Sequence, residues 1–431
     1  MYREAIEKLI KWKSSNRRKP LIIEGARQVG KTWLVKEFAS NYYKNLIYIN
    51  FEQQLELRNI FQQNLNIKRI LLDLEAVYSQ KIDATNTLIF FDEIQEAKNG
   101  LTVLKYFCED APELNVIVAG SLLGVLLHKK ESFPVGKVEF MQLYPLNFKE
   151  FLMSMGENGL LHLIEEHNWE SVNLLSAKYQ LLLKQYLYVG GMPEVVKNFV
   201  ESKDWSLVRE IQKEILESYR NDFSKHAPKE LVPRILQVWD SLPTQLSKEN
   251  KKFIYGVLRE GARAREYELA IQWLEDSGLI HKVNNVTAPR MPLMAYVELS
   301  IFKIYCNDIG LLGAMAGLSS KTLVEGNEVF KEFNGALTEQ YAFQQLIQNN
   351  TLFYYAKTNS QQEIDFLLQI EEEIVPVEVK AGINLQAKSL RHYVKENHPR
   401  LAYRVSLSNY KKEDWLTNLP LYCISEIKNA E

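Results

Sequence analysis

Along the first third of the chain, short apolar blocks alternate with stretches whose apolar residues recur at helical spacing. Ala5, Ile6, Leu9, Ile10 and Trp12 fall on one helical face, and the polar run from Ser14 to Pro20 breaks the pattern before the apolar block at 21–24. The same reading predicts a helix over 31–39, a strand over 46–50, helices near 55–63 and 67–78, a strand over 87–92, a helix over 100–109 and strands over 115–120 and 138–143. Apolar strands separated by helices imply parallel crossovers and a sheet covered on both faces.

Beyond Pro145 the strand pattern gives way to helical spacing over 148–223, interrupted by Gly190-Gly191-Met192-Pro193, which predicts a helical lid. Residues 231–285 are again helix-rich, with a helix stopping at Gly278 and a strand following, the order of a winged-helix module. A last α/β unit is expected from a helix over 336–348, strands near 352–356, 364–370 and 374–380, a helix near 386–396, and strands near 402–407 and 420–424. The boundaries this suggests are 1–145, 146–225, 226–320 and 321–431.

Composition narrows the classes. A chain of 431 residues is too long for one core, and with 46% hydrophobic and 25% charged residues it reads as folded nearly throughout. Lys and Arg number 52 against 54 Asp and Glu, so there is no overall basic field, and any nucleic-acid contact must be local. Cys108, Cys306 and Cys423 are widely spaced, which fits neither a disulfide framework nor a zinc ribbon and suits a reducing cytoplasm. The basic N-terminal stretch lacks the apolar core of a secretory signal, and the apolar run from Val116 to Leu127 is broken by Gly120, Ser121 and Gly124, so no membrane span is expected.

The chemistry concentrates at two places. GARQVGKT at 25–32 follows a buried strand and opens a helix, the context that a phosphate-cradling loop requires. Gly25, Ala26, Arg27, Gln28, Val29 and Gly30 supply the curled backbone, Lys31 reaches the β- and γ-phosphates, and the Thr32 hydroxyl sits on Mg²⁺. TLIFFDE at 87–93 is a strand ending in two carboxylates, which assigns Asp92 to the Mg²⁺ shell and Glu93 to polarising the attacking water. Ser121 ends the next strand, where its hydroxyl either senses the γ-phosphate or caps a helix.

Those residues resemble the AAA+ superfamily. With AGS, LYPLNFKEF and YVGGMPEVV added, the chain is similar over nearly its whole length to a prokaryotic AAA ATPase family fused to a C-terminal domain of uncharacterised function. The resemblance implies a P-loop NTPase parallel sheet of the AAA+ type with a helical lid, and ATP with Mg²⁺ as cofactors. It also implies a basic residue on the γ-phosphate, for which Lys137, Arg220, Arg263 and Arg265 are the candidates, and places Met192-Pro193 either beside the adenine or in an ordinary interhelix turn. KIYCNDIGLL at 303–312 recurs in such chains, and the spacing of Lys303, Tyr305 and Asp308 specifies no reaction.

The second place is C-terminal. EIDFLLQ at 363–369 and VPVEVKAG at 375–382 set Asp365 about a dozen residues ahead of Glu378-x-Lys380, with Val377 and Val379 expected toward the core. This spacing resembles the PD-(D/E)XK, or restriction-endonuclease-like, fold, with Glu339 on the preceding helix as a further acid. It implies Mg²⁺ on Glu339, Asp365 and Glu378 and a water-activating role for Lys380; a surface Glu–Lys pair on two strands is the plainer reading. Lys248, Lys251, Lys252, Arg259, Arg263 and Arg265 form a basic helical stretch that suits a DNA backbone, although mixed charge of this kind more often marks a solvated face. The reading at this point is an ATPase controlling a nuclease-like unit on DNA, or an ATP-gated switch whose unit binds a protein or nucleic acid without cutting. A homo-oligomer and a regulatory protein partner stay open.

Overall fold

The computed structural model describes residues 2–120, 134–248, 252–320, 331–357, 362–382 and 386–427. Ser121 and Lys251 lie outside the described residues. The chain packs as two compact units, one of residues 2–144 with 276–279, the other of residues 145–275 with 280–431.

The first unit is built on five parallel strands, β1 (Leu21–Glu24), β2 (Asn45–Asn50), β3 (Thr87–Asp92), β4 (Asn115–Ala119) and β5 (Glu139–Gln142), in the order β2-β3-β4-β1-β5. β3 and β4 are buried at every position, as central parallel strands covered on both faces must be. Phe51, Phe61, Phe91 and Phe107 pack ring against ring on one face. The chain leaves β1 for β2 at the far edge and later returns to β1's other side, so β1 lies beside the point where strand order reverses. Ligands bind beyond the strands' carboxyl ends at such a point. Expected and observed elements coincide closely here, except that 55–63 holds only a 3₁₀ turn, Leu55–Asn59, whose Leu55 is exposed and lends the turn no buried face.

The second unit combines helices from Phe148–Ser154 onward with an eight-stranded mixed sheet. Its strands are β6 (Ile280–Val286), β7 (Val297–Cys306), β8 (Leu352–Ala356), β9 (Glu363–Ile370), β10 (Glu373–Val379), β11 (Tyr403–Ser406), β12 (Lys411–Lys412) and β13 (Thr417–Pro420), in the order β12-β13-β11-β10-β9-β8-β6-β7. The winged-helix expectation meets a correction in this sheet. The antiparallel pair β6–β7 is not a separate wing; β6 also pairs in parallel with β8, so strands on either side of residue 320 share one sheet. A second correction concerns 420–424. Pro420 ends β13, and the buried run Leu421–Glu426 winds as a 3₁₀ helix, a choice that a short apolar block does not reveal by its spacing.

Candidate ATP site and the C-terminal carboxylates

Gly25 follows β1 with φ +142°, and a side chain there would place its Cβ 2.2 Å from the Leu143 carbonyl oxygen, so only glycine fits. Gly30, left-handed at φ 91°, turns the loop into the helix Lys31–Tyr42. From the preceding segment, Arg3 is buried and donates to the carbonyls of Val29, at 3.0 Å, and Tyr144, at 2.6 Å, pinning the loop's outer turn. Its role was not legible, because a single arginine before an amphipathic helix carries no spacing signal.

Lys31 folds inward and gives 2.8 Å hydrogen bonds to the carbonyls of Gly25 and Ala26. Burial lowers its pKa to about 8, against the opposing pull of Glu93 and Asp92. Thr32 donates its hydroxyl to Asp92 Oδ2 at 2.7 Å, although the two residues are sixty apart in sequence. Asp92, 2% exposed at the end of β3, also accepts from the Tyr48 hydroxyl at 3.1 Å, and burial pushes its pKa up. Tyr48 is a site residue that the sequence reading did not single out; it projects from β2, whose Asn50 stands level with Asp92 in the strand register. Glu93 adopts a left-handed backbone, φ 49°, unusual for a residue with a side chain, and its carboxylate accepts from the Gln95 amide.

Lys31, Thr32, Asp92 and Glu93 are thus gathered at the carboxyl ends of β1 and β3. A hydroxyl and a carboxylate in contact are hard oxygen donors of the kind Mg²⁺ takes, so this set fits the ion. A family model described as "AAA domain" matches residues 17–152. The protein is an ATPase. Two further models, each described as a domain of unknown function, match residues 180–322 (DUF8612) and 334–424 (DUF4143). The chain is 25% identical over 388 residues to an uncharacterized protein of Methanocaldococcus jannaschii, MJ1544, covering 87% of this chain and 78% of that one. A second relative, from Haemophilus influenzae, is 22% identical over 199 residues and spans 44% of this chain and 43% of its own length. Among solved structures, the Walker-type ATPase PABY2304 of Pyrococcus abyssi aligns with TM-score 0.45 and 15% identity, covering 73% of this chain and 95% of that one. The Aeropyrum pernix ORC1 protein, solved in complex with DNA, aligns with TM-score 0.27 and 12% identity over 72% of this chain and 90% of its own.

Among the basic candidates for the γ-phosphate, Lys137 pairs with Glu109 at 2.9 Å and Arg220 with Asp240, while the Arg263 backbone N–H donates to Glu266. Arg265 lies in the helix Ala264–Asp276. The Gly-Gly-Met-Pro turn is a packing device. Met192 is fully buried, Pro193 opens the helix Pro193–Ser202, and the Gly191 N–H donates to Asp308 Oδ2 at 2.6 Å. Asp308 also accepts from Leu311 N–H at 3.0 Å and from the Gln344 amide at 3.2 Å, so it ties three helices of the second unit together.

In the C-terminal sheet the antiparallel register runs to Val377 opposite Phe366, just before Glu378 on one strand and just after Asp365 on the other. Asp365 accepts from Val379 N–H at 2.8 Å, and Lys380 closes on Glu378 at 2.6 Å, so these three residues do converge. Contrary to the expected alternation, Glu378 is buried and Val379 only half-buried. The Glu378 carboxylate takes the Leu390 N–H, at 3.3 Å, at the start of the helix Lys388–Asn397, which covers that face. Glu339 is engaged elsewhere. Its Oε1 takes the Lys303 ammonium at 3.0 Å and the Tyr305 hydroxyl at 2.5 Å, both fully buried. Mg²⁺ on Glu339, Asp365 and Glu378 does not fit, because the three do not gather into one metal-holding group. Among the described residues, no three His, Cys, Asp or Glu side chains form a metal-holding group.

Proposed function

We propose that this ATPase is a nucleotide-driven switch. Thr32 and Asp92 would hold Mg²⁺, which supplies charge neutralisation at the phosphates; residues 25–31 cradle the phosphates; and Glu93 polarises the attacking water. Ser121 is our choice for the γ-phosphate sensor. The cycle sets the state of the C-terminal nuclease-like unit, which binds a protein or nucleic-acid target without cutting it. The observation that carries the non-cutting half is the pairing of Glu339 with Lys303 and Tyr305, which withdraws one of the expected acids. Three free cysteines support a reducing compartment.

The convergence of Asp365, Glu378 and Lys380 favours a second reading, an ATP-controlled nuclease acting on DNA. One experiment separates the two: Mg·ATP turnover with and without single-stranded, duplex and supercoiled DNA, with the same reactions run on a gel. The switch reading expects turnover with intact DNA. Cleavage lost in Asp365→Ala and Lys380→Ala would establish the nuclease instead.

A further inference from the structure

Lys303 is 0% exposed, and its ammonium lies 3.0 Å from Glu339 and 2.5 Å from Glu363, two carboxylates brought by the helix Lys331–Leu346 and by β9. The ring of Tyr354 on β8 stands 4.8 Å from the same nitrogen, and Tyr305, on the same face of β7, donates to the Glu339 oxygen that Lys303 holds. Burial alone would drive a lysine to its neutral form. Here the Glu339 and Glu363 carboxylates, both within 3.0 Å, offset burial and keep the ammonium charged. A cation met by several carboxylates, with an aromatic face and a tyrosine hydroxyl around it, has the surroundings of a bound metal ion, but the charge is covalently attached to the chain.

We propose that the Lys303 ammonium is the resident cation of this carboxylate cluster, so that the C-terminal unit holds its acids in place without a divalent metal. The inference rests on the non-cutting reading and sharpens it: Glu339 is a positioning residue for the sheet rather than a metal ligand. A buried ammonium cannot exchange with solvent cations, so the cluster is insensitive to chelators. Removing it leaves the buried Glu339 carboxylate and the part-exposed Glu363 and Asp365 without their cation, a set of oxygen donors open to a hard divalent ion from solution.

The test is Mn²⁺ binding, read by electron paramagnetic resonance, to full-length protein carrying Asp92→Asn, which removes the nucleotide-site ligand. This protein is expected to bind no Mn²⁺, and adding Lys303→Gln is expected to create a site for about one Mn²⁺ per chain that Glu339→Gln abolishes. Mn²⁺ bound to the Asp92→Asn protein and lost on Glu339→Gln or Asp365→Asn would overturn the proposal, as would a folded Lys303→Gln protein that gains none. Should Lys303→Gln fail to fold, the binding measured with Lys303 intact decides alone. DNA cleavage is scored separately, so failure of the non-cutting reading is distinguishable from failure of the Lys303 assignment.

Discussion

A lysine whose ammonium rests on two neutral carbonyls is poised to exchange them for charged acceptors, and Lys31 does this at the head of its loop. Lys31→Ala should weaken ATP binding by about 100-fold, the scale of one or two charge-assisted hydrogen bonds, measured by calorimetry. Tyr48 acts one step away, through Asp92. Tyr48→Phe keeps the ring and removes one donor, so kcat is expected to fall by about 5-fold with KM little changed. His281 in β6 reports on the other unit. Burial lowers its pKa to about 4, below the ordinary 6.5, so the unfolded chain binds the extra proton first and stability falls as pH drops from about 6.5 toward 4. Thermal melts should show a smaller loss between pH 7 and 4.5 in His281→Gln than in wild type; equal losses would contradict the assignment.

At the scale of elements, the sequence reveals what is set locally and conceals what depends on partners distant in the chain. β1, β3 and β8 appear where their apolar blocks predict them, and the loop at 25–32 announces itself because its glycines, lysine and threonine are adjacent. Asp92 and Glu93 are legible for the same reason, as the polar end of an apolar strand. Tyr48 and Arg3 are not, since their partners become neighbours only when the sheet forms. Lys303, Tyr305 and Asp308 illustrate the limit best: their spacing specifies nothing, yet the fold delivers Glu339, Glu363 and Gln344 to them from more than thirty residues away. The Gly-Gly-Met-Pro turn is equally a tertiary fact. A Cβ at Gly191 would sit 2.1 Å from the Leu146 carbonyl oxygen, so Gly191→Ala should destabilise the second unit by about 1–3 kcal/mol, seen as a lower denaturant midpoint.

For the whole molecule, the two units divide the chemistry. The parallel sheet of the first gathers Lys31, Thr32, Asp92 and Glu93 at its carboxyl edge, and the second pairs Glu339 with Lys303 and Glu378 with Lys380. Among the described residues no helix is long and apolar enough to cross a membrane, and the near-zero net charge gives no general pull toward nucleic acid. The most direct measurement is steady-state Mg·ATP turnover of wild type against Glu93→Gln, with nucleotide binding followed in parallel. The account predicts that Glu93→Gln retains ATP while turnover falls by about 100-fold or more. A Glu93→Gln protein that hydrolyses ATP at the wild-type rate would contradict it.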